Sequence, residues 1–152
     1  MGGIDMLCKE LMYGDWIASE NNGYPMQITN VGDDYAYATF EGNEGDPWEF
    51  DDKDDQPQPI PLTNDILKKN GWEMKSYMLP PYASFIRTYY FTKDEGYTHL
   101  ELKGNTLKIW FNYEKCNDGV YSDIVIYVNY VHQLQQVLRL AGMTDMANNF
   151  KI

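Results

Sequence analysis

A chain of 152 residues is long enough to bury the core of one domain or of two small lobes. Its net charge of −11, from 23 acids and 12 bases, argues against direct binding of nucleic acid, because phosphate backbones require clustered Lys and Arg. No apolar run approaches the ~18 residues of a membrane-spanning helix, and no secretory signal is visible. The composition therefore predicts a cytoplasmic protein that contacts neither nucleic acid nor membrane.

Residues 15–40 contain three short segments that are rich in β-branched and aromatic residues. They read "DWIASE", "YPMQITNV" and "DYAYATF", and the turn sequences "NNG" and "GDD" separate them. Short strands at such close spacing favour a small barrel or a strongly bent sheet. The sequence therefore predicts an SH3-like β-barrel lobe over residues 1–62.

Residues 41–59 form an acidic stretch within this lobe. They hold eight acids and one lysine, so 7 of the 11 net negative charges lie in 19 residues. The segment "PWEFDD" is compatible with a short strand, but the stretch is interpreted as a loop that stays extended and mobile without a ligand. It serves either solubility alone or the recruitment of a basic partner. In the second case the predicted partner-binding residues are Trp48, Glu49, Asp51, Asp52, Asp54 and Asp55.

The segment "PIPLTNDILKKNGW", residues 59–72, contains the start and stop signals of one short helix. Thr63 is a good N-cap, and Asp65 in the first turn suits the positive end of the helix dipole. Gly71 supplies the left-handed residue that ends a helix. We expect a helix over residues 63–70 that joins the first lobe to the second.

From Trp72 onwards the apolar residues alternate with polar ones, which is typical of antiparallel strands. Gly104-Asn105 favours a two-residue type II′ hairpin. This turn predicts two apolar cross-strand pairs, Leu102 with Leu107 and Leu100 with Ile109, and on the other face Glu101 with Lys108 and His99 with Trp110.

The last regular element is a helix of about three turns between Asn129, as N-cap, and Gly142, as stop. One face of this helix is apolar: Tyr130, Val131, Leu134, Val137, Leu138 and Ala141. The other is polar: His132, Gln133, Gln135, Gln136 and Arg139. The apolar face should lie on the second sheet, and replacing Gln135 or Gln136 with alanine should have almost no effect on stability. The prediction is thus an α+β protein whose residues 63–152 form an antiparallel sheet with this helix packed on it.

Side chains suited to catalysis or metal binding form no recognisable pattern. His99 and His132 have no Cys or second His at ligand spacing, and Cys8 and Cys116 form no CxxC motif. No sequence fingerprint of a hydrolase, a metalloprotease or a nucleotide-binding protein is present. The sequence therefore predicts no catalytic, cofactor-binding or metal-binding residue, although carboxylates paired in space stay possible.

Three blocks in this order resemble a family. They are "LMYGDWI" (11–17), "PIPLTNDILKKNGW" (59–72) and "YVHQLQQVLRLAG" (130–142). The family consists of small uncharacterised proteins encoded by gut bacteria of one phylum and by their phages and mobile elements. Its members have a GDWV-like strand, an IPLTxxILxKxGF-like segment and a YVHQLQNL-like helix. The resemblance implies no catalytic activity that can be carried over.

Three functional hypotheses follow. The first is a non-catalytic accessory protein of phage or mobile-element origin that binds an unidentified protein partner. The second is an acidic mimic of nucleic acid that inhibits a DNA-binding protein, which would require carboxylates spaced like phosphates on one face. The third group covers a sugar- or small-ligand-binding module and an enzyme with an unrecognised pocket. The sequence leaves the oligomeric state open.

Overall fold

The computed structural model describes residues 6–21, 23–78, 87–113 and 121–152, so Cys116 lies outside the described residues. Within them the chain is α+β, with two antiparallel sheets of five strands each and few helices. The helices are α1 (Asn64–Lys69), α2 (Val131–Leu140) and α3 (Thr144–Asn148). The chain divides into two compact units. Unit 1 combines Met1–Leu62 with Asn129–Ile152, and unit 2 is Thr63–Val128.

The sheet of unit 1 is open. Its strands are β1 (Trp16–Ser19), β2 (Pro25–Val31), β3 (Tyr35–Thr39), β4 (Trp48–Asp51) and β5 (Pro57–Pro59), in the order β4-β3-β2-β1-β5. The described strands therefore do not close into the expected SH3-like barrel. One physical reason lies in β5, where Pro57 and Pro59 have no N–H with which to extend a ladder.

One face of this sheet carries the core of unit 1. Burial alternates along the strands, so that Met26 and Ile28 are inside while Gln27 and Thr29 face the other way. The inner face is covered by the segment around a 3-10 turn, Cys8–Glu10, which contributes Met6, Cys8 and Leu11. These apolar contacts follow directly from the period-two pattern of the sequence.

The C-terminal helix α2 belongs to unit 1 and not, as expected, to the second lobe. Two main-chain hydrogen bonds join its start to the segment before α1: Val131 N donates to Ile60 O at 2.9 Å, and Leu62 N donates to Asn129 O at 3.1 Å. The apolar stripe of the helix is buried as predicted, including Leu134 and Leu138. An apolar stripe shows that a helix face is covered, but it does not specify which sheet covers it.

Unit 2 contains the second sheet, whose strands follow one another in chain order. They are β6 (Glu73–Met78), β7 (Arg87–Glu95), β8 (Thr98–Lys103), β9 (Thr106–Trp110) and β10 (Ile124–Tyr127), in the order β10-β9-β8-β7-β6. All four cross-strand pairs predicted around Gly104-Asn105 are confirmed. Gly104 has a φ of +60° and Asn105 a negative φ, as a type II′ turn requires.

The boundaries of α1 are also confirmed. The Thr63 side chain accepts a hydrogen bond from Ile66 N at 3.2 Å, and the chain leaves the helix through Gly71 with a φ of +80°. A Cβ at Gly71 would lie 2.8 Å from Lys93 Nζ, which is the end of a flexible side chain. The backbone angle is therefore the main reason for glycine at this position.

Thr63→Ala should lower the free energy of unfolding by about 1 kcal/mol, because Ile66 N loses its capping partner. Gly71→Ala should lower it by about 1 kcal/mol or more, since alanine disfavours a positive φ. Urea denaturation of the whole protein, followed by tryptophan fluorescence, measures both changes. Lys68→Ala, at an exposed position of the same helix, is the matched control and should be nearly neutral. Wild-type stability of both variants would contradict the helix boundaries.

Candidate functional site

The acidic stretch 41–59 is part of the sheet of unit 1 and not a plain loop. It contains β4 and β5, which pair with β3 and β1. Trp48 and Asp55 hold the turn between these strands, because the indole Nε1 of Trp48 donates to Asp55 Oδ2 at 2.6 Å. The other oxygen of Asp55 accepts from Ser19 Oγ at 3.4 Å, and the residue is only 8% exposed. These two predicted partner-binding residues therefore have structural roles.

Asp51 and Asp52 are engaged in the same way. Asp51 Oδ1 accepts hydrogen bonds from Asp54 N at 2.5 Å and Lys53 N at 2.7 Å, which lower the pKa of the Asp51 carboxyl. Asp52 Oδ1 accepts from Cys8 N at 2.8 Å and so fixes the start of the 3-10 turn. Both carboxylates order the local backbone, which is a common use of Asp in turns.

Five acids of the stretch are exposed to solvent, and we call them the acidic surface: Glu41, Glu44, Asp46, Glu49 and Asp54. Of the six predicted partner-binding residues, only Glu49 and Asp54 belong to this group. The structure thus separates the predicted set into two exposed carboxylates and four residues that hold the turn.

Net charge is divided unequally between the two units. Unit 1 contains 15 acids and 4 bases, a net charge of −11, whereas unit 2 contains 8 acids and 8 bases, a net charge of zero. The whole negative charge of the protein therefore belongs to unit 1. A surface of one sign attracts ligands of opposite sign over about a Debye length, roughly 8 Å at physiological salt.

A buried ion pair in unit 1 is the main feature that the sequence analysis missed. Asp15 is fully buried, and its Oδ1 accepts from Arg139 Nη1 at 2.5 Å. Asp15 Oδ2 accepts from Met12 N at 2.9 Å and from Gln136 Nε2 at 2.8 Å, while Arg139 Nε donates to Asn148 Oδ1 at 3.0 Å. The pair connects the turn before β1 to α2.

Gln135 forms a second polar link beside this pair. It is fully buried, donates to Gly14 O at 2.8 Å and Ala147 O at 2.9 Å, and accepts from Trp16 N at 2.9 Å. These contacts argue against the expectation that Gln135 tolerates substitution, and Gln136, which donates to Glu10 O at 3.0 Å and to Asp15 Oδ2 at 2.8 Å, is engaged as well. A glycine is needed at position 14, because it has a φ of +86° and a Cβ would lie 2.8 Å from Asn148 Oδ1.

Parts of the sequence blocks 11–17, 59–72 and 130–142 lie together in unit 1, although residues 63–72 of the middle block belong to unit 2. The first supplies Asp15 and Trp16, the third supplies Gln135 and Arg139, and the start of the middle block pairs with the third through the bridge between Pro61 and Tyr130. These residues are engaged with one another. The residues of these blocks therefore have structural roles, and their arrangement indicates no catalytic or binding chemistry.

The described Cys and His residues do not form a reactive group. Burial, together with the neighbouring Asp52, raises the pKa of the Cys8 thiol to about 12, so this thiol is protonated at neutral pH and a poor nucleophile. Burial also lowers the pKa of His132. The side chain of His99 in unit 2 is only 15% exposed; its Nδ1 is 2.5 Å from Asp94 Oδ1, and its ring stacks on Tyr113 with centroids 4.4 Å apart.

A cavity of about 360 Å³ opens on unit 1 beside α3. Its walls are polar and include Gln27, Thr29 and Asn148. Gln27 Nε2 already donates to Gly14 O and Asn148 O, both at 3.2 Å, and Thr29 Oγ1 donates to Tyr37 O at 3.3 Å. Because these donors form hydrogen bonds within the protein, they do not indicate which ligand the cavity could bind.

Among the described residues, no three His, Cys, Asp or Glu side chains lie close enough to hold a metal ion. In the same part of the chain, no helix combines the length and the apolarity that crossing a membrane requires. No protein-family model, curated protein or solved structure is significantly similar to this chain. The acidic surface of unit 1 is therefore the candidate site. It is supported by the exposure of its carboxylates and by the net charge of unit 1, and not by similarity to a known protein.

Proposed function

We propose that this protein is a non-catalytic accessory protein that binds a basic protein partner through the acidic surface of unit 1. The observation that carries the proposal is the segregation of charge, with −11 on unit 1 and zero on unit 2. A protein that needed charge only for solubility would have no reason to confine it to one unit. The resemblance to proteins of phages and mobile elements supports an accessory role.

The order of the acidic surface supports the same proposal. Glu49 lies on β4, and Asp54 follows the turn that Asp51 caps, so the carboxylates are attached to hydrogen-bonded backbone. A partner that binds such a surface does not have to order the chain. An ordered acidic surface should therefore bind more tightly than a disordered acidic tail of the same charge. A rim of charges acts mainly on the association rate and on its salt dependence.

We also propose that unit 1 is an SH3-like sheet that stays open. Five short strands in meander order, with β5 returning beside β1, support this assignment. The open edge of β4 then lies next to the acidic surface, where a partner can be contacted by both strand and carboxylates.

A triple variant tests the proposed function. Glu41→Gln, Glu49→Gln and Asp54→Asn together remove three exposed charges without touching the four residues that hold the turn. Proteins retained from a lysate of a gut bacterium by immobilised wild type and variant are compared at ~50 and ~150 mM salt. We expect the variant to lose a basic protein that the wild type retains, and the wild type to retain less of it at the higher salt.

The matched control removes three exposed charges from unit 2: Asp65→Asn, Glu73→Gln and Glu95→Gln. It changes the total charge equally and should retain the same protein as the wild type. Two results would overturn the proposal. Equal loss of the protein by both variants would show that binding depends on net charge alone. Retention of the protein by both variants, as by the wild type, would show that binding depends on neither surface.

A further inference from the structure

Strand β10 is an exposed edge of the sheet of unit 2. Among the described strands it pairs only with β9. Val125 is 60% exposed and Tyr127 is 71% exposed, although both are large and carry no charge. An apolar edge strand is a template for another strand, because its outer main-chain groups are unpaired.

The register shows which main-chain groups these are. Val128 N donates to Asn105 O at 2.8 Å, in line with the pairs of Ile126 with Leu107 and Ile124 with Ile109. Hydrogen bonds alternate along an antiparallel ladder, so the neighbours of these residues turn their main-chain groups away from β9. Val125 and Tyr127 thus direct two N–H and two C=O groups outwards.

The two edges of the sheet differ in their protection. At the other edge, β6 carries Glu73 and Lys75, whose side chains form an ion pair at 3.1 Å. Charged residues on an edge hinder the addition of a further strand. The β10 sequence from Ile124 to Tyr127 contains no charge, proline or glycine, so the strand itself lacks the residue types that usually block an edge.

We propose that β10 pairs antiparallel with β10 of a second copy of this chain, so that two unit 2 sheets join into one. A two-fold axis at Ile126 places Val125 opposite the partner's Tyr127 and Tyr127 opposite the partner's Val125. Each of these two pairs forms two main-chain hydrogen bonds. A β-branched residue opposite an aromatic one is a favourable cross-strand pair. The strand is therefore complementary to itself in this register.

The charge of the two units favours the same contact. Unit 2 has a net charge of zero, so its own charge does not oppose the approach of a second unit 2, whereas unit 1 carries −11. A four-residue edge is short compared with stable interfaces, and we expect a dissociation constant of roughly 10–100 µM. The dimer is thus expected only at high concentration or when a common partner brings two copies together.

Sedimentation equilibrium over about 5 to 500 µM protein tests the association. The weight-average mass should rise towards twice that of the monomer. Val125→Pro should abolish the rise, because it removes an outward N–H without removing a bond to β9. Met74→Lys, at a half-exposed position of β6, is the control and should dimerise like the wild type. A monomeric wild type, or dimers in Val125→Pro, would overturn the proposal.

Cross-linking tests the register in a Cys116→Ser background. Two residues on the axis form a non-hydrogen-bonded pair with Cα atoms ~4.5 Å apart, which is within disulfide range. Ile126→Cys should therefore form a disulfide-linked dimer under mild oxidation, whereas Val125→Cys should not, because it faces position 127. Cross-linking of Val125→Cys alone would overturn this register. If the wild type binds an added extended peptide but does not associate with itself, the occupant of the β10 edge is not a second copy of this chain, and the proposal is overturned.

Discussion

Replacing Asp15 with alanine should lower the free energy of unfolding of unit 1 by about 3–5 kcal/mol. Asp15 is fully buried, and Arg139, whose side chain is 8% exposed, would keep its charge without a counter-ion. Met12 N and Gln136 Nε2 would lose an acceptor as well. This loss exceeds that expected of ordinary surface changes, which are usually within about 0.5 kcal/mol.

Urea denaturation followed by circular dichroism measures this loss, with Glu41→Ala as the control for removing an exposed acid from the same unit. Arg139→Met should be similarly destabilising, because it leaves the buried Asp15 carboxylate without its counter-ion. The double variant should lose less than the sum of the single losses, by about 1–3 kcal/mol. Additive losses would show that the two side chains do not act as a pair.

The sequence predicted best those elements whose structure depends on neighbours in the chain. The hairpin at Gly104 and the ends of α1 follow from turn and cap residues, and each is found as predicted. Helix α2 begins one residue later than expected, with Tyr130 as its N-cap, because Gln133 Oε1 accepts from Tyr130 N and Asn129 N. Helix caps and tight turns depend on a few residues that are adjacent in the chain, so they can be predicted from the sequence.

What could not be predicted depends on residues that are distant in the chain. Asp15 and Arg139 are 124 positions apart, and nothing in either local pattern indicates that the other is its counter-ion. The same limit applies to the acidic stretch. Asp55 looks like one of eight similar acids, but its contacts with Trp48 and Ser19 make it structural. Charge density alone does not distinguish carboxylates that bind a partner from those that order a turn.

Replacing Gln135 with alanine should lower the free energy of unfolding of unit 1 by about 2–4 kcal/mol. The change removes the acceptor of Trp16 N and one donor each from Gly14 O and Ala147 O, which keep Gln27 Nε2 and Phe150 N as donors. Each buried polar group that loses its partner destabilises a protein by about 1–3 kcal/mol, and part of this is regained when the site relaxes. The apolar part of the side chain adds a small cavity.

Leu140→Ala, in the last turn of the same helix, is the matched control, because Leu140 is 84% exposed and should be nearly neutral. Apolarity alone predicts the opposite order, with the leucine more damaging to replace than the glutamine. Urea denaturation of the two variants against wild type therefore separates a helix with one buried face from a helix buried on two sides. If Gln135→Ala keeps wild-type stability, the hydrogen bonds from Gln135 do not hold α2 against β1, and the link between the first and third sequence blocks rests on the contacts of Asp15 with Arg139 and Gln136.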